Sequence, residues 1–323
     1  MKDAIGREID YLRISVTDRC NFRCLYCMPE KGIKLKSHGD ILRFEEITEF
    51  VEAVVPLGIS RVRVTGGEPL VRLGIVDFIR ALRTIDGIRD ISMTTNGSLL
   101  STMARDLKDA GLDRVNISLD SLKPDRFKKI TRRGKLSDVL EGVRAALEAE
   151  LTPVKINCVV ARGFNDDEIM DFVNLTGNYP IFVRFIELMP LGETGWGRGR
   201  FISAEEIKNS INEKLIPTGV PAGAGPAVYY KIPGASGALG FITPISRHFC
   251  GACNRMRLTA DGKLKPCLER DLEIDVKKAL RERRGKEELQ RLFKEALAAK
   301  PACHRMKRGE NEWHSRMMWQ IGG

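Results

Sequence analysis

At 323 residues the chain suffices for one large domain or a domain with a companion, and 43% hydrophobic against 30% charged residues excludes a disordered or fibrous class. No apolar run reaches the roughly 18 residues of a membrane span, and the opening MKDAIGREIDYLR lacks the apolar centre of a secretory signal. The expectation is a cytoplasmic protein without a membrane partner, whose eight cysteines stay reduced and serve as ligands; the net charge of +10 suits a nucleic acid, an anionic surface or a small polyanion, without choosing among them.

Residues 9–17, IDYLRISVT, alternate as a strand and deliver a tight loop, SVTDRCNFRCLYCMP, at its carboxyl end. That loop sets Cys20, Cys24 and Cys27 at C-x3-C-x2-C spacing. Three thiols are odd in number for disulfides, and zinc sites favour paired C-x2-C units. A [4Fe-4S] cube takes four ligands, so a loop supplying three leaves one iron open to a chelating small molecule.

A strand and helix rhythm follows. Helix 44–57 precedes strand 61–65, which ends in Gly66-Gly67-Glu68-Pro69; helix 75–84, strand 90–95, helix 101–110, strand 114–119, a helical stretch over 124–149, strand 154–160, helix 166–176 and strand 181–188 come next. Six strands with helices between them predict parallel strands and right-handed crossovers, in an open doubly wound sheet or a barrel. The Cys loop, Gly66–Pro69, Thr94–Gly97, Ser118–Ser121 and Glu187–Pro190 all stand at strand carboxyl ends, where barrel active sites assemble.

The rhythm stops after Pro190 in a Gly-rich run, which places a domain boundary between residues 192 and 193, and Ser203 with Glu206 three residues on predicts a capped helix. Residues 217–240 predict loops with short strands, and 272–299 are mostly helical. A second thiol group, Cys250, Cys253 and Cys267, has C-x2-C-x13-C spacing; zinc, with His248 completing a Cys3His set, and iron fit it equally. Directly after it, NRMRLT puts Arg255 and Arg257 on one strand face, a pair of planar donors suited to phosphate oxygens. The basic runs 277–284 and 304–308 read as solvated faces.

The first Cys loop, with Tyr26 before its third Cys, resembles that of the radical S-adenosylmethionine (SAM) superfamily. Adding RVTGGEPLVR, MTTNG, NISLDSL, RFIELM, FCGACNRMRLTADGKLKPCL and the closing Ile321-Gly322-Gly323 narrows the resemblance, over nearly the whole chain, to the GTP 3',8-cyclase family of molybdenum cofactor biosynthesis. The resemblance implies an α/β fold, an incomplete six-stranded radical SAM barrel followed by a C-terminal iron-sulfur domain. It implies two [4Fe-4S] clusters, on Cys20, Cys24 and Cys27 and on Cys250, Cys253 and Cys267, facing one cavity. SAM would meet Tyr26, Gly67, Glu68, Ser118 and Met189, and GTP would lie among Arg13, Arg63, Thr94, Lys155, Arg255, Met256 and Arg257, with Arg184 a further candidate. In the implied reaction a 5'-deoxyadenosyl radical takes hydrogen from C3' of GTP, and C3' closes onto C8 of guanine. The Gly-Gly tail would reach the site and meet an Arg.

Implied partners are a flavodoxin-type, ferredoxin-type or small-reductase electron donor, a downstream cyclic pyranopterin monophosphate synthase and a second copy in a homodimer. Two other readings compete, a two-cluster radical SAM enzyme of another kind, such as a peptide modifier, and a noncatalytic metal protein on nucleic acid. A peptide modifier tends to carry more than three C-terminal Cys in its extension, and single-stranded nucleic acid asks for aromatics interleaved with basic residues. Only 7% of this chain is aromatic, so no nucleic-acid partner is expected.

Overall fold

In the computed structural model, which describes residues 1–190, 196–197, 199–221, 225–306 and 316–322, the expected alternation forms six parallel strands. These are β1 (Tyr11–Ser15), β2 (Arg61–Thr65), β3 (Asp90–Thr95), β4 (Arg114–Ser118), β5 (Lys155–Val160) and β6 (Phe182–Glu187), paired in sequence order. Between them run α1 (Phe44–Val54), α2 (Ile75–Arg83), α3 (Leu100–Asp109), α4 (Pro124–Thr131), α5 (Leu136–Glu148) and α6 (Ile169–Asn178). Because side chains alternate across a strand, one face carries Leu12, Ile14, Val62, Val64, Ile91, Met93, Val115, Ile117, Ile156, Val183 and Phe185, all buried in the core beneath the helices. The opposite face carries Arg13, Arg63, Ser92, Asn116, Lys155 and Arg184, all buried except Arg13, which is half-buried. A buried polar face is what a barrel interior that holds a polar ligand requires.

The C-terminal part contributes α7 (Ala204–Asn209), β7 (Ile216–Pro217), β8 (Val228–Lys231), β9 (Ala238–Ile242), β10 (Arg255–Leu258), β11 (Lys263–Lys265), β12 (Ile274–Asp275), α8 (Lys277–Arg281), α9 (Gly285–Ala298) and α10 (Met318–Ile321). Ser203 caps α7 through a reciprocal box with Glu206, as its spacing predicts. All twelve strands share one sheet, ordered β12-β11-β10-β1-β2-β3-β4-β5-β6-β9-β8-β7. Parallel pairing of β9 with β6 and of β10 with β1 extends the six expected parallel strands to eight. Both edges of the partial barrel are therefore covered by later chain. The expected boundary between residues 192 and 193 lies outside the described residues, and the strands on either side of it belong to the same sheet.

The expected helix 124–149 is two helices. The break at Arg132, whose φ is +61°, frees its guanidinium to donate to the carbonyls of Arg23 and Met28 at 2.8 and 2.9 Å. The amides of Arg23 and Leu25 in turn bond the last carbonyls of α4, those of Thr131 and Ile130, which no helical donor satisfies. Interrupting the helix anchors the cysteine loop.

Candidate active site

The first thiol triple sits on the carboxyl rim of β1. Its loop is fixed from three sides: Arg23 donates to the carbonyl of Cys20 at 2.6 Å, Asn21 bonds Ser98 and Asn96 of the turn after β3, and the Gly66–Glu68 turn lies directly beneath. The amide of Gly67 bonds the Thr17 carbonyl and that of Glu68 the Arg19 carbonyl, each at 2.8 Å. A Cβ on Gly67 would stand 2.4 Å from the Arg19 oxygen, so only glycine permits this approach. All three cysteines are free thiols. Burial pushes Cys20 up to about 11, with Glu68 adding to it, and burial with repulsion from Cys20 pushes Cys27 up to about 12. Cys24 is driven well above its ordinary value by burial and by Cys27. Soft metal centres displace such protons and take the thiolates, so the donor set fits an iron-sulfur cluster.

Two of the residues expected to meet SAM also fasten the scaffold. The Glu68 carboxylate, 1% exposed, accepts from the Leu70 amide at 3.1 Å, the Thr95 hydroxyl at 2.7 Å and the Asn96 amide at 2.6 Å, while burial lifts it to about 7. It ties the glycine turn to the turn after β3. Tyr26 donates its hydroxyl to Asp120 at 2.7 Å, and Asp120 also accepts from the Val159 amide; burial lifts that carboxylate to about 6. Ser118 closes β4 opposite Asn157, and Met189 follows β6 by two residues. Glu187, on the strand face turned away from the barrel, accepts from the amides of Ala204, Ile245 and Ser246 and so braces the C-terminal part.

Within the barrel the strand register brings the expected cations together. Arg13 lies between Arg257 of β10 and Arg63 of β2, and Lys155 on β5 pairs with Asn116, which accepts from Arg184 at 2.5 Å. Burial, then Arg184 and Arg114, bring Lys155 down to about 6; burial, then Arg257 and Arg63, hold Arg13 well below its ordinary value. Burial brings both Arg184 and Arg257 down to about 10, with the neighbouring cations Arg63 and Arg255 respectively adding to it. Like charges gathered out of water oppose one another, and a bound polyanion relieves both costs. The Thr94 hydroxyl, the Asn157 side-chain oxygen and Nε of Arg184 are buried without hydrogen-bond partners, as groups reserved for a ligand are. Met256 packs away from this face, fully buried in the core, so its side chain is not on the cation-lined wall.

The second thiol triple lies at the other end. Cys250 and Cys253 precede the amino end of β10, and Cys267 follows β11, which runs antiparallel to β10. The two triples thus flank the cation-lined interior from its two rims. Burial would raise the Cys253 thiol, but Arg255 and Lys300 beside it prevail and bring it down to about 6. His248 does not stand apart as the fourth member of a Cys3His set: its Nδ1 lies 2.9 Å from Nε2 of His304, and both imidazoles have a nitrogen within 4.8 Å of the Cys250 sulfur. His304, read from sequence as part of a solvated basic run, is buried. Neither Lys300 nor His304 carries a periodic signal within AAKPACHRMKR.

The tail enters the same interior. Arg316 makes a bidentate pair with Asp261 at 3.0 and 3.0 Å and also bonds Glu273; burial would raise Asp261, yet Arg316 holds it far below the carboxylate range. From there α10 runs inward, and the Gly322 carbonyl accepts from Arg257 at 3.0 Å. Gly322 is buried with φ +71°, and a Cβ there would stand 2.3 Å from the Thr65 methyl. Gly323 lies outside the described residues.

Two family models match successive parts of the chain. The radical SAM superfamily matches residues 14–176, and the molybdenum cofactor synthesis C family matches residues 181–306. Among solved structures, Streptococcus suis SuiB bound to S-adenosylmethionine aligns with a TM-score of 0.60 at 14% identity, over 91% of this chain and 68% of that one, which is a likeness of fold. The GTP 3',8-cyclase of Alkaliphilus oremlandii is 54% identical, and that of Moorella thermoacetica 53%, each over 100% of both chains. With two thiol triples flanking a cationic barrel and relatives that match end to end, the chain belongs to the GTP 3',8-cyclase family of radical SAM enzymes.

Proposed function

We propose that this chain converts GTP to 3',8-cyclo-7,8-dihydro-GTP, the first step of molybdenum cofactor biosynthesis. The observation that carries the reading is the wall of buried Arg63, Lys155, Arg184 and Arg257 with half-buried Arg13, between two thiol triples. When bound, the cluster on Cys20, Cys24 and Cys27 supplies the electron that splits SAM into methionine and a 5'-deoxyadenosyl radical. Gly67 and Ser118 then line the SAM side, with Met189 beside them, while Glu68 and Tyr26 keep the glycine turn and the cysteine loop in place. Arg255 and Arg257 clamp the triphosphate; Arg13, Arg63 and Lys155 compensate the remaining charge, and Thr94 and Arg184 offer their unused polar atoms to the nucleoside. Cys250, Cys253 and Cys267 hold the second cluster near the guanine. Holding the ribose between the rims selects which hydrogen meets the radical, and the enclosed interior keeps water out.

The same reading places the chain in the cytoplasm as a homodimer, supplied with electrons by a flavodoxin-type, ferredoxin-type or small-reductase donor, its product passing to a cyclic pyranopterin monophosphate synthase. Among the described residues no helix is long and apolar enough to cross a membrane.

Anaerobic iron and sulfide counting with EPR, run beside product analysis, tests the assignment. About eight irons per chain and a cyclised nucleotide are expected; about four irons with one zinc would return Cys250, Cys253 and Cys267 to a zinc site. For the clamp, Arg255→Ala or Arg257→Ala is expected to weaken GTP binding by about 1.5 to 3 kcal/mol, the loss of one charged hydrogen bond, with SAM binding almost unchanged. Equilibrium titration of both ligands checks this, and equal losses would mean that β10 was merely disrupted.

A further inference from the structure

Lys300 follows α9 by two residues and is only 6% exposed. An ammonium has three N–H donors, and here each has an acceptor: the carbonyl of Arg255 at 2.7 Å, the carbonyl of Pro266 at 2.7 Å and the sulfur of Cys253 at 3.7 Å. The two carbonyls flank the second thiol triple, one just after Cys253 and the other just before Cys267, so they fix the ammonium between the two segments that carry those thiols. The next turn is held as firmly. Arg7 donates to the carbonyls of Pro301 and Ala302 at 2.7 and 3.1 Å and to that of Cys250 at 2.8 Å, binding the Lys300 segment to the remaining cysteine.

Burying an ammonium is expensive unless an anion faces it. Among the described residues no carboxylate pairs with Lys300. The group it faces instead is the sulfur of Cys253, which is an anionic thiolate once it ligates a metal. We propose that Lys300 is a positioning residue that sets the reduction potential of the second cluster, by donating a charged hydrogen bond to the Cys253 sulfur. The proposal rests on the reading of Cys250, Cys253 and Cys267 as cluster ligands. Reduction adds one electron to a centre already carrying the charge of its thiolates. A fixed positive charge and an N–H bond to a ligand sulfur stabilise that added charge, so both raise the potential. Two neutral hydrogen bonds to carbonyls would suffice for a strut; the charge is what a strut does not need.

The test is an EPR-monitored redox titration of the anaerobically reconstituted full chain and of Lys300→Gln, Lys300→Met and Lys300→Arg, with the first cluster in each sample as internal reference. The second cluster is expected to become harder to reduce in the Gln and Met variants and to stay close to the unsubstituted value in the Arg variant, while the first cluster does not move. An unchanged potential in Lys300→Gln, or equal shifts of both clusters, overturns the proposal. Should the variants fail to hold the second cluster, the decision passes to the unsubstituted enzyme grown with 15N-labelled lysine. Pulsed EPR of its reduced second cluster is expected to show coupling to one lysine nitrogen, and its absence overturns the proposal. A count of about four irons in the unsubstituted chain instead removes the cluster reading, and the proposal with it.

Discussion

Cys24→Ala is expected to reduce the cleavage of SAM to the background of cluster-free protein while leaving GTP affinity within about twofold, since independent sites are additive to a few tenths of a kcal/mol. The basis is the separation of the two thiol triples. Cys24 lies on the loop beyond the carboxyl end of β1, whereas Arg255 begins β10 at the opposite rim. Its removal takes one of three ligands from the first cluster, and nothing in the cation wall is touched. The measurement is 5'-deoxyadenosine formed after anaerobic reconstitution, alongside GTP binding. Undiminished cleavage would remove Cys24 from the reactive centre and the radical mechanism from this loop.

The second large effect concerns the tail. Deleting Gly322 and Gly323, or appending one Ala after Gly323, is expected to leave SAM bound and cleaved but to lower the cyclised product formed per 5'-deoxyadenosine by about tenfold or more, the scale of one charged hydrogen bond. Arg257 donates to the Gly322 carbonyl and is also half of the proposed triphosphate clamp, so losing the tail leaves this guanidinium without that anchor. The tail cannot be replaced by bulk, because Gly322 has a left-handed φ and presses on Thr65. Both products are measured in one anaerobic assay. A ratio equal to that of the unmodified chain would make the tail a spectator, whatever its position.

Where the sequence was readable, its signals were local. Strands 61–65 and 90–95 end where expected, because alternation and the turn residues after them are properties of those stretches alone. The cation face was readable for the same reason: Arg255 and Arg257 share a face by period two, and the structure adds Arg13 and Arg63 in register. What escaped depends on partners far away in the chain. β9 is drawn from ALGFI in a run rich in Gly and Ala, and pairs in parallel with β6, where Gly240 leaves room opposite Arg184. The break at Arg132 exists for the cysteine loop, more than a hundred residues earlier. His304 read as part of a solvated basic run and Lys300 gave no signal at all, until the fold laid them against cysteines.

The placement of β9 and β10 also dictates how the chain must be made. During synthesis β1 through β6 can pair as they emerge, but the outer edge of β6 waits for β9 and that of β1 for β10, which begins at residue 255. At about 5 to 20 residues per second, some 3 to 14 seconds separate the end of β6 from the start of β10. For that interval the nascent half-barrel exposes the unpaired edge of β1, that of β6 until β9 arrives, and its interior arginines. Mutual repulsion among those cations opposes edge-to-edge joining of neighbouring half-made copies, so the charge that receives the nucleotide in the finished enzyme also keeps the unfinished one from self-association.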